Sequence, residues 1–241
     1  MNKFLSFLFL SLLLFLNVQA QTTRVLIFTK TQGYRHASIE TGRAALARMC
    51  LDHQVAVDST ENPASFNAGN LKKYKAVIFL NTTGDLFNSA QREALENYIH
   101  SGGGWMGIHA ATDAEYNWPW YGKLAGAYFK SHPAQQEAVI KVVDQSNPAT
   151  QMLPAEWKRF DEWYNYKEVS QDLKVLAYLD ESSYKGGEMA GSHPIVWYHD
   201  FEGGRAFYTG FGHTDETFKE PLILDHLWGG IEYVMGNKTG K

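Results

Sequence analysis

Cysteine is nearly absent: Cys50 stands alone among 241 residues, so no internal disulfide can form and the fold must be held by its core. Cys50 ends the stretch Ala44-Ala45-Leu46-Ala47-Arg48-Met49-Cys50, which reads as a buried helix face and makes it a core thiol. Charge of one sign is also lacking. The formal net charge is −4, about −5 without Lys3, and acidic and basic residues are interspersed. That balance argues against nucleic acid and against an anionic membrane surface as partners. Apolar runs are short, the longest being Phe4 to Leu16, whereas a membrane-spanning helix needs roughly 20 residues. After that run there is no Ser/Pro-rich linker, internal repeat or low-complexity segment.

Lys3 precedes the apolar run and Val18-Gln19-Ala20 follows it, a small-x-small end of the kind signal peptidase cuts. Residues 1–20 are expected to be a signal peptide and the protein to be exported, periplasmic or secreted. Once that peptide is cleaved, no membrane span is expected. Residues 21–241 suffice for one well-buried domain. A homo-oligomer is compatible with the sequence.

Two nearly continuous apolar runs, Arg24 to Lys30 and Lys75 to Asn81, have strand length and suit strands covered on both faces. Between them lie a helical pattern from Ser38 to Leu51 and a β-branched stretch, Gln54 to Val57. Another helix fits Ser89 to Ser101, with Asn88 or Ser89 as cap and Gly102-Gly103-Gly104 as stop. The alternation implies an α/β fold with a doubly wound, mostly parallel sheet. The second half has closely spaced strand-like runs at 137–143, 160–167, 175–179, 195–199 and 205–211, which predict antiparallel additions. Residues 200–204 read as a hairpin turn and Pro221 to Met235 as a closing helix.

Ligands of a doubly wound sheet bind beyond the carboxyl ends of its strands. Gly104-Trp105-Met106-Gly107-Ile108-His109-Ala110-Ala111-Thr112-Asp113 reads as a strand, a tight bend at His109 and a helix start. Hydrolases with such an elbow place a nucleophilic Ser or Cys there. An imidazole instead ligates metal or moves protons. His213, after an apolar strand and between glycines, and His36, after the first strand, end at the same predicted rim.

Other residues leave alternatives open. His36 is a site residue or a loop-fixing donor. Asp85 follows Gly84 and is a binding or a turn residue. Asp113, one helical turn after His109, orients its ring or serves the helix dipole. His132 and His193 each precede a proline and are loop candidates for the pocket. The run Glu115-Tyr116-Asn117-Trp118-Pro119-Trp120-Tyr121 reads as a loop that either packs as a satellite core or offers Trp118 and Trp120 as faces for sugar rings. In Phe160-Asp161-Glu162-Trp163-Tyr164, strand alternation puts Glu162 and Asp161 on opposite faces and marks Glu162 as a pocket acid or base.

The chain resembles the ThuA-like, or trehalose-utilisation, family. The matching segments are Gly33-Tyr34-Arg35-His36-Ala37-Ser38-Ile39, Gly104 to Asp113 with Gly107-Ile108-His109-Ala110-Ala111 at its centre, Phe129-Lys130-Ser131-His132-Pro133, Asp161-Glu162-Trp163-Tyr164, and Pro194-Ile195-Val196-Trp197 through Gly210-Phe211-Gly212-His213. The resemblance implies a flavodoxin-like or class I glutamine amidotransferase-like fold and a link to sugar breakdown. It puts His109 where those amidotransferases keep their nucleophilic Cys, and likens His213 and Asp215 to their catalytic His and acid. Without that Cys, amidotransferase chemistry is not expected.

The resulting expectation is an exported hydrolase, lyase or isomerase acting on a glycoside or keto-sugar. His109, His213, Glu162 and Asp113 are its catalytic candidates; Tyr34, His36, Asp85, His132, Trp118 and Trp120 are its substrate-binding candidates. A divalent metal such as zinc, if used, would sit on His36, His109 and His213, although no His-Glu-x-x-His spacing is present. The alternative is a sugar-binding protein without catalysis.

Overall fold

The computed structural model describes residues 23–236, so the expected signal peptide lies outside it. Strand β1 (Arg24–Phe28), helix α1 (Ile39–Asp52), β2 (Ala56–Thr60), the short helix α2 (Ala68–Leu71), β3 (Ala76–Leu80), α3 (Ser89–His100) and β4 (Gly104–Ile108) follow one another. Then come α4 (Pro119–Ala125), β5 (Tyr128–Ser131), β6 (Gln136–Val142), β7 (Glu156–Asp161), β8 (Asn165–Lys167), β9 (Lys174–Asp180), β10 (His193–Phe201), β11 (Gly204–Thr209) and α5 (Pro221–Met235). Among the described residues no helix is long and apolar enough to cross a membrane.

The architecture is α/β, built on a nine-stranded mixed sheet in the order β2-β1-β3-β4-β11-β10-β9-β6-β7. The strands from β2 to β11 run parallel, and β10, β9, β6 and β7 extend the sheet antiparallel. β5 and β8 form a separate pair. The last strand, β11, inserts beside β4 with Thr209 opposite Ile108, while Leu80 of β3 also pairs with Ile108. The carboxyl ends of β3, β4 and β11 therefore lie side by side.

Alternation along the buried strands feeds two apolar layers. Val25, Ile27, Ile78 and Met106 pack toward Leu46 of α1 and Ile231 of α5. Leu26, Phe28, Val77, Phe79 and Trp105 pack toward Leu95 of α3 and Tyr121 of α4. Helix α3 begins with a reciprocal capping box between Asn88 and Gln91. The β10–β11 turn is a two-residue loop, Glu202-Gly203, with both φ angles positive at 45° and 95°, the geometry of a tight hairpin.

Two expectations change. Residues 160–167 are not one strand: the chain leaves the sheet edge after Asp161 and re-enters pairing only at β8, in the other sheet. Strand alternation therefore does not govern Glu162, and Asp161, Glu162, Trp163 and Tyr164 are all buried. Nor is the 115–121 aromatic run a loop throughout. Pro119 opens α4, where its fixed φ suits the first helical turn.

Helix α5 crosses β4 so closely that a Cβ on Gly104 would overlap the Val234 carbonyl. Gly104→Ala is expected to cost about 2–3 kcal/mol in urea denaturation; wild-type stability would refute this approach. On the same helix His226 is fully buried, with Nδ1 donating to the Ala149 carbonyl at 2.6 Å and Nε2 facing Thr209 Oγ1 at 3.1 Å. Burial lowers its pKa from 6.5 to about 4. Between those values the unfolded chain takes up a proton that the folded chain refuses. Stability is intact above pH 6.5 and falls toward pH 4, by up to about 1.4 kcal/mol per pH unit for one group. His226→Gln in EDTA should show a shallower loss across that window, and an unchanged slope would contradict this origin.

Candidate functional site

At the end of β4 the chain bends at His109, whose φ of 48° is left-handed, a conformation unusual for a side chain with a Cβ. Several bonds hold the bend. Tyr208 Oη donates to the His109 carbonyl at 2.7 Å, and Ala110 N donates to Asn81 Oδ1 at 3.3 Å. Asn81 directly follows β3 and its amide nitrogen also donates to Ser38 Oγ and to the Gly212 carbonyl, both at 3.0 Å. One amide thus joins the loop carrying His36, the elbow carrying His109 and the loop carrying His213.

These loops converge. His213 Nδ1 lies 3.3 Å from His109 Nε2 and 3.0 Å from Glu162 Oε2, and His109 Nε2 lies 3.4 Å from the same carboxylate oxygen. The His36 ring stands edge-on to both, with centroids 5.0 Å from His109 and 5.1 Å from His213. One donor atom from each of His36, His109, Glu162 and His213 lies within 4.8 Å of the others. Tyr164 closes the floor, its ring 4.2 Å from His109 and its hydroxyl 3.5 Å from His36 Nε2.

Hydrogen-bond partners assign the protons. His109 Nδ1 sits 3.0 Å from the Gly210 carbonyl, which can only accept, so Nδ1 carries a hydrogen and Nε2 is the nitrogen turned toward Glu162. His36 Nδ1 is buried with no partner. Burial, then the neighbouring His109 and His213, lowers the His36 pKa from 6.5 to about 3, so this ring is neutral near pH 7. Burial pushes the Glu162 carboxyl up, but hydrogen bonds from His109 and His213 and their charges outweigh it, holding it well below the ordinary carboxylate range. The cluster is thus three imidazoles around one carboxylate anion.

At the mouth, Tyr34 is 65% exposed and its ring meets His36 edge-on at 4.8 Å. The exposed His132 places Nδ1 3.2 Å from Glu162 Oε1 and 3.0 Å from the Pro133 carbonyl. Both neighbours accept, so Nδ1 of His132 carries a hydrogen. Gln135, exposed, contacts His213 Nε2 at 2.7 Å.

Other candidates lie apart from this cluster. Asp113 does not orient His109, because Gly210 already occupies that ring nitrogen. Its carboxylate instead accepts from Tyr116 Oη at 2.6 Å, and burial raises its pKa. Asp85 is exposed on its turn, where its backbone carbonyl rather than its carboxylate meets Lys30. Trp118 is buried, donates to Glu96 and stacks on Trp120, which donates to Glu202 at the β10–β11 turn. These two rings are packing elements of α4. His193 is buried between Tyr184, Glu181 and the Tyr164 carbonyl. Asp215 is not the acid beside His213; Glu162 fills that place, and Asp215 Oδ1 is buried without a partner.

The sequence reading missed Asn81, Tyr164 and Gln135. Asn81 follows an apolar strand directly, and that polar strand-end position was the available signal. Gln135 and Tyr164 carry none, since only folding brings them beside the imidazoles.

The donor set fits a divalent first-row ion. Zinc bonds of about 2.0–2.1 Å to nitrogen in a tetrahedron require donor separations of roughly 3.3–3.4 Å. Two of the three separations among His109, His213 and Glu162 fall there, at 3.3 and 3.4 Å, and the third is 3.0 Å.

A family model described as trehalose utilisation, ThuA, matches residues 24–234, and the chain belongs to that family. The fold is similar to that of a ThuA-like protein from Bacteroides uniformis, with a TM-score of 0.77 and 27% identity over 92% of this chain and 96% of that one. A ThuA-like protein from Parabacteroides merdae aligns with a TM-score of 0.75 and 19% identity, covering 91% and 92% of the two chains. A β-galactosidase from Bacillus circulans shares the fold at a TM-score of 0.60 and 14% identity, covering 90% of this chain but 31% of its own. No curated protein matches the chain. Family membership gives the protein a carbohydrate-related setting.

Because Trp118 is buried in packing, Trp118→Ala should lower stability by about 3–5 kcal/mol. Sugar affinity of the folded fraction should not change; a variant that keeps full stability but loses sugar binding would return this ring to the site.

Proposed function

We propose that His36, His109, Glu162 and His213 form a divalent metal centre, for zinc or a similar ion, in an exported enzyme acting on a glycoside or keto-sugar. One observation carries the reading: His36, His109, Glu162 and His213, from four separate segments, each bring one donor atom to within 4.8 Å of the others. Three imidazoles and a carboxylate gathered this closely are the donor types that a borderline-soft divalent ion takes. His36 supports it, being a buried neutral imidazole with one ring nitrogen in reach of the other three donors.

An ion held by these residues would supply Lewis-acid chemistry toward a sugar carbonyl or a water. The chain's own residues supply the rest. The Gly210 carbonyl holds His109 in its Nε2-binding tautomer, as the outer partner of a ligating histidine does. His132, exposed at the mouth with Nδ1 engaged by Glu162 and the Pro133 carbonyl, offers Nε2 to exchange a proton with a substrate hydroxyl or an activated C–H. Tyr34 offers an open aromatic face at the mouth on which a sugar ring can stack. The imidazole at the elbow leaves no thiolate for amidotransferase chemistry.

Untagged protein should bind one equivalent of zinc, cobalt or manganese. At 100 times Kd the bound ion should raise stability by about 2.7 kcal/mol. His109→Ala and Glu162→Ala should lose the ion, and His213→Ala should abolish turnover of keto-disaccharides in the wild-type-active assay. Failure of all three ions to bind would sink the metal reading. Sugar binding without turnover in the metal-loaded protein would leave a binding protein in place of an enzyme.

A further inference from the structure

We propose that Asp161 is the positioning residue of this centre, a single buried carboxylate that sets the backbones of both Glu162 and His213. The inference rests on the metal reading above. Asp161 is fully buried at the end of β7, where the chain leaves the sheet. Its Oδ1 accepts the backbone N–H of Glu162 at 2.9 Å and that of His213 at 3.2 Å. Its Oδ2 accepts the N–H of Gly212 at 3.3 Å and the hydroxyl of Thr217 at 3.1 Å. Four donors from two loops, far apart in sequence, therefore meet on one side chain.

The arrangement is anchored from behind. Arg159 is buried and stands with Nε 3.7 Å from Asp161 Oδ2, while its Nη2 donates to Thr217 Oγ1 at 2.7 Å and Nη1 pairs with Glu220. A carboxylate is needed here because it has only acceptors to offer. An asparagine of the same shape would turn an N–H group toward two of the four donors, so the loops would separate. Glu162 and His213 would keep their side chains but lose the 3.0 Å approach of Oε2 to Nδ1. Asp161 acts through these two residues and contacts neither an ion nor a substrate.

Glu115 supplies a matched comparison. It too is a fully buried carboxylate that accepts two backbone N–H groups, from Leu86 at 2.6 Å and Phe87 at 2.8 Å, and pairs with an arginine, Arg92. It belongs to the α3–α4 side of the sheet and touches none of the four donors.

The test compares zinc affinity and the visible spectrum of the cobalt-loaded protein in wild type, Asp161→Asn and Glu115→Gln, with folding of each checked by circular dichroism in EDTA. The expected result is a loss of zinc affinity of about 10–100-fold in Asp161→Asn, with an altered cobalt spectrum. Glu115→Gln should keep wild-type affinity and spectrum even where its melting temperature falls. Wild-type affinity and spectrum in Asp161→Asn, or an equal loss in Glu115→Gln, would overturn the proposal. If Asp161→Asn does not fold, Thr217→Val, which removes one of the four donors, carries the test: a drop of about threefold or more supports the assignment, and no change overturns it. A wild-type protein that binds no ion is a different result, which fails the metal reading before any variant is compared.

Discussion

The side-chain amide of Asn81 is the interaction on which the cluster depends. Three loops leave the parallel strands at the same edge, and each carries an imidazole. Nothing in the sheet itself stops these loops from spreading apart. Asn81 ties them, donating to Ser38 Oγ and the Gly212 carbonyl and accepting from Ala110 N. An amide suits the position because it both donates and accepts, and here both N–H groups and the oxygen find partners in a place where an unmet group would be costly. The left-handed bend at His109 is held by the same network together with Tyr208.

Much of the frame was legible in the sequence because its signals are local. The runs that became β1, β3 and β4 are nearly all apolar since helices cover both faces, and the cap at Asn88 and the two-residue turn at Glu202-Gly203 follow from nearby residues alone. That His36, His109 and His213 would share a rim followed from strand order. The role of Glu162 was harder to see. Alternation presupposes a continuous strand, and Asp161 breaks it by capturing the N–H of the next residue. The choice between Asp113 and Glu162 as the carboxylate near His109 also lay beyond local pattern. Asp113 is closer in sequence, but the Gly210 carbonyl, a hundred residues away, takes the nitrogen it would have used. Trp118 and Trp120 show the opposite ambiguity, since an aromatic run reads alike whether its rings meet a sugar or a helix.

Buried carboxylates serve two purposes in this protein, and geometry separates them. Asp161 and Glu115 face backbone N–H groups and an arginine, so their charge is spent on fixing loops. Glu162 faces only imidazoles, and its two oxygens are divided between the inner pair and His132 at the surface. A carboxylate whose neighbours can all exchange protons or share an ion is available for chemistry in a way that one locked by amides is not.

The four donors also have a consequence for the chain as a polymer. With a lone cysteine, the protein has none of the covalent ties that extracellular domains commonly use against unfolding. An ion gripping His36, His109, Glu162 and His213 would pin segments from both halves of the polypeptide to one point, closing three long loops and cutting the entropy of the unfolded chain. Such a staple opens to a chelator rather than to a reductant, so the resistance of the whole domain to proteases would follow the supply of metal around it.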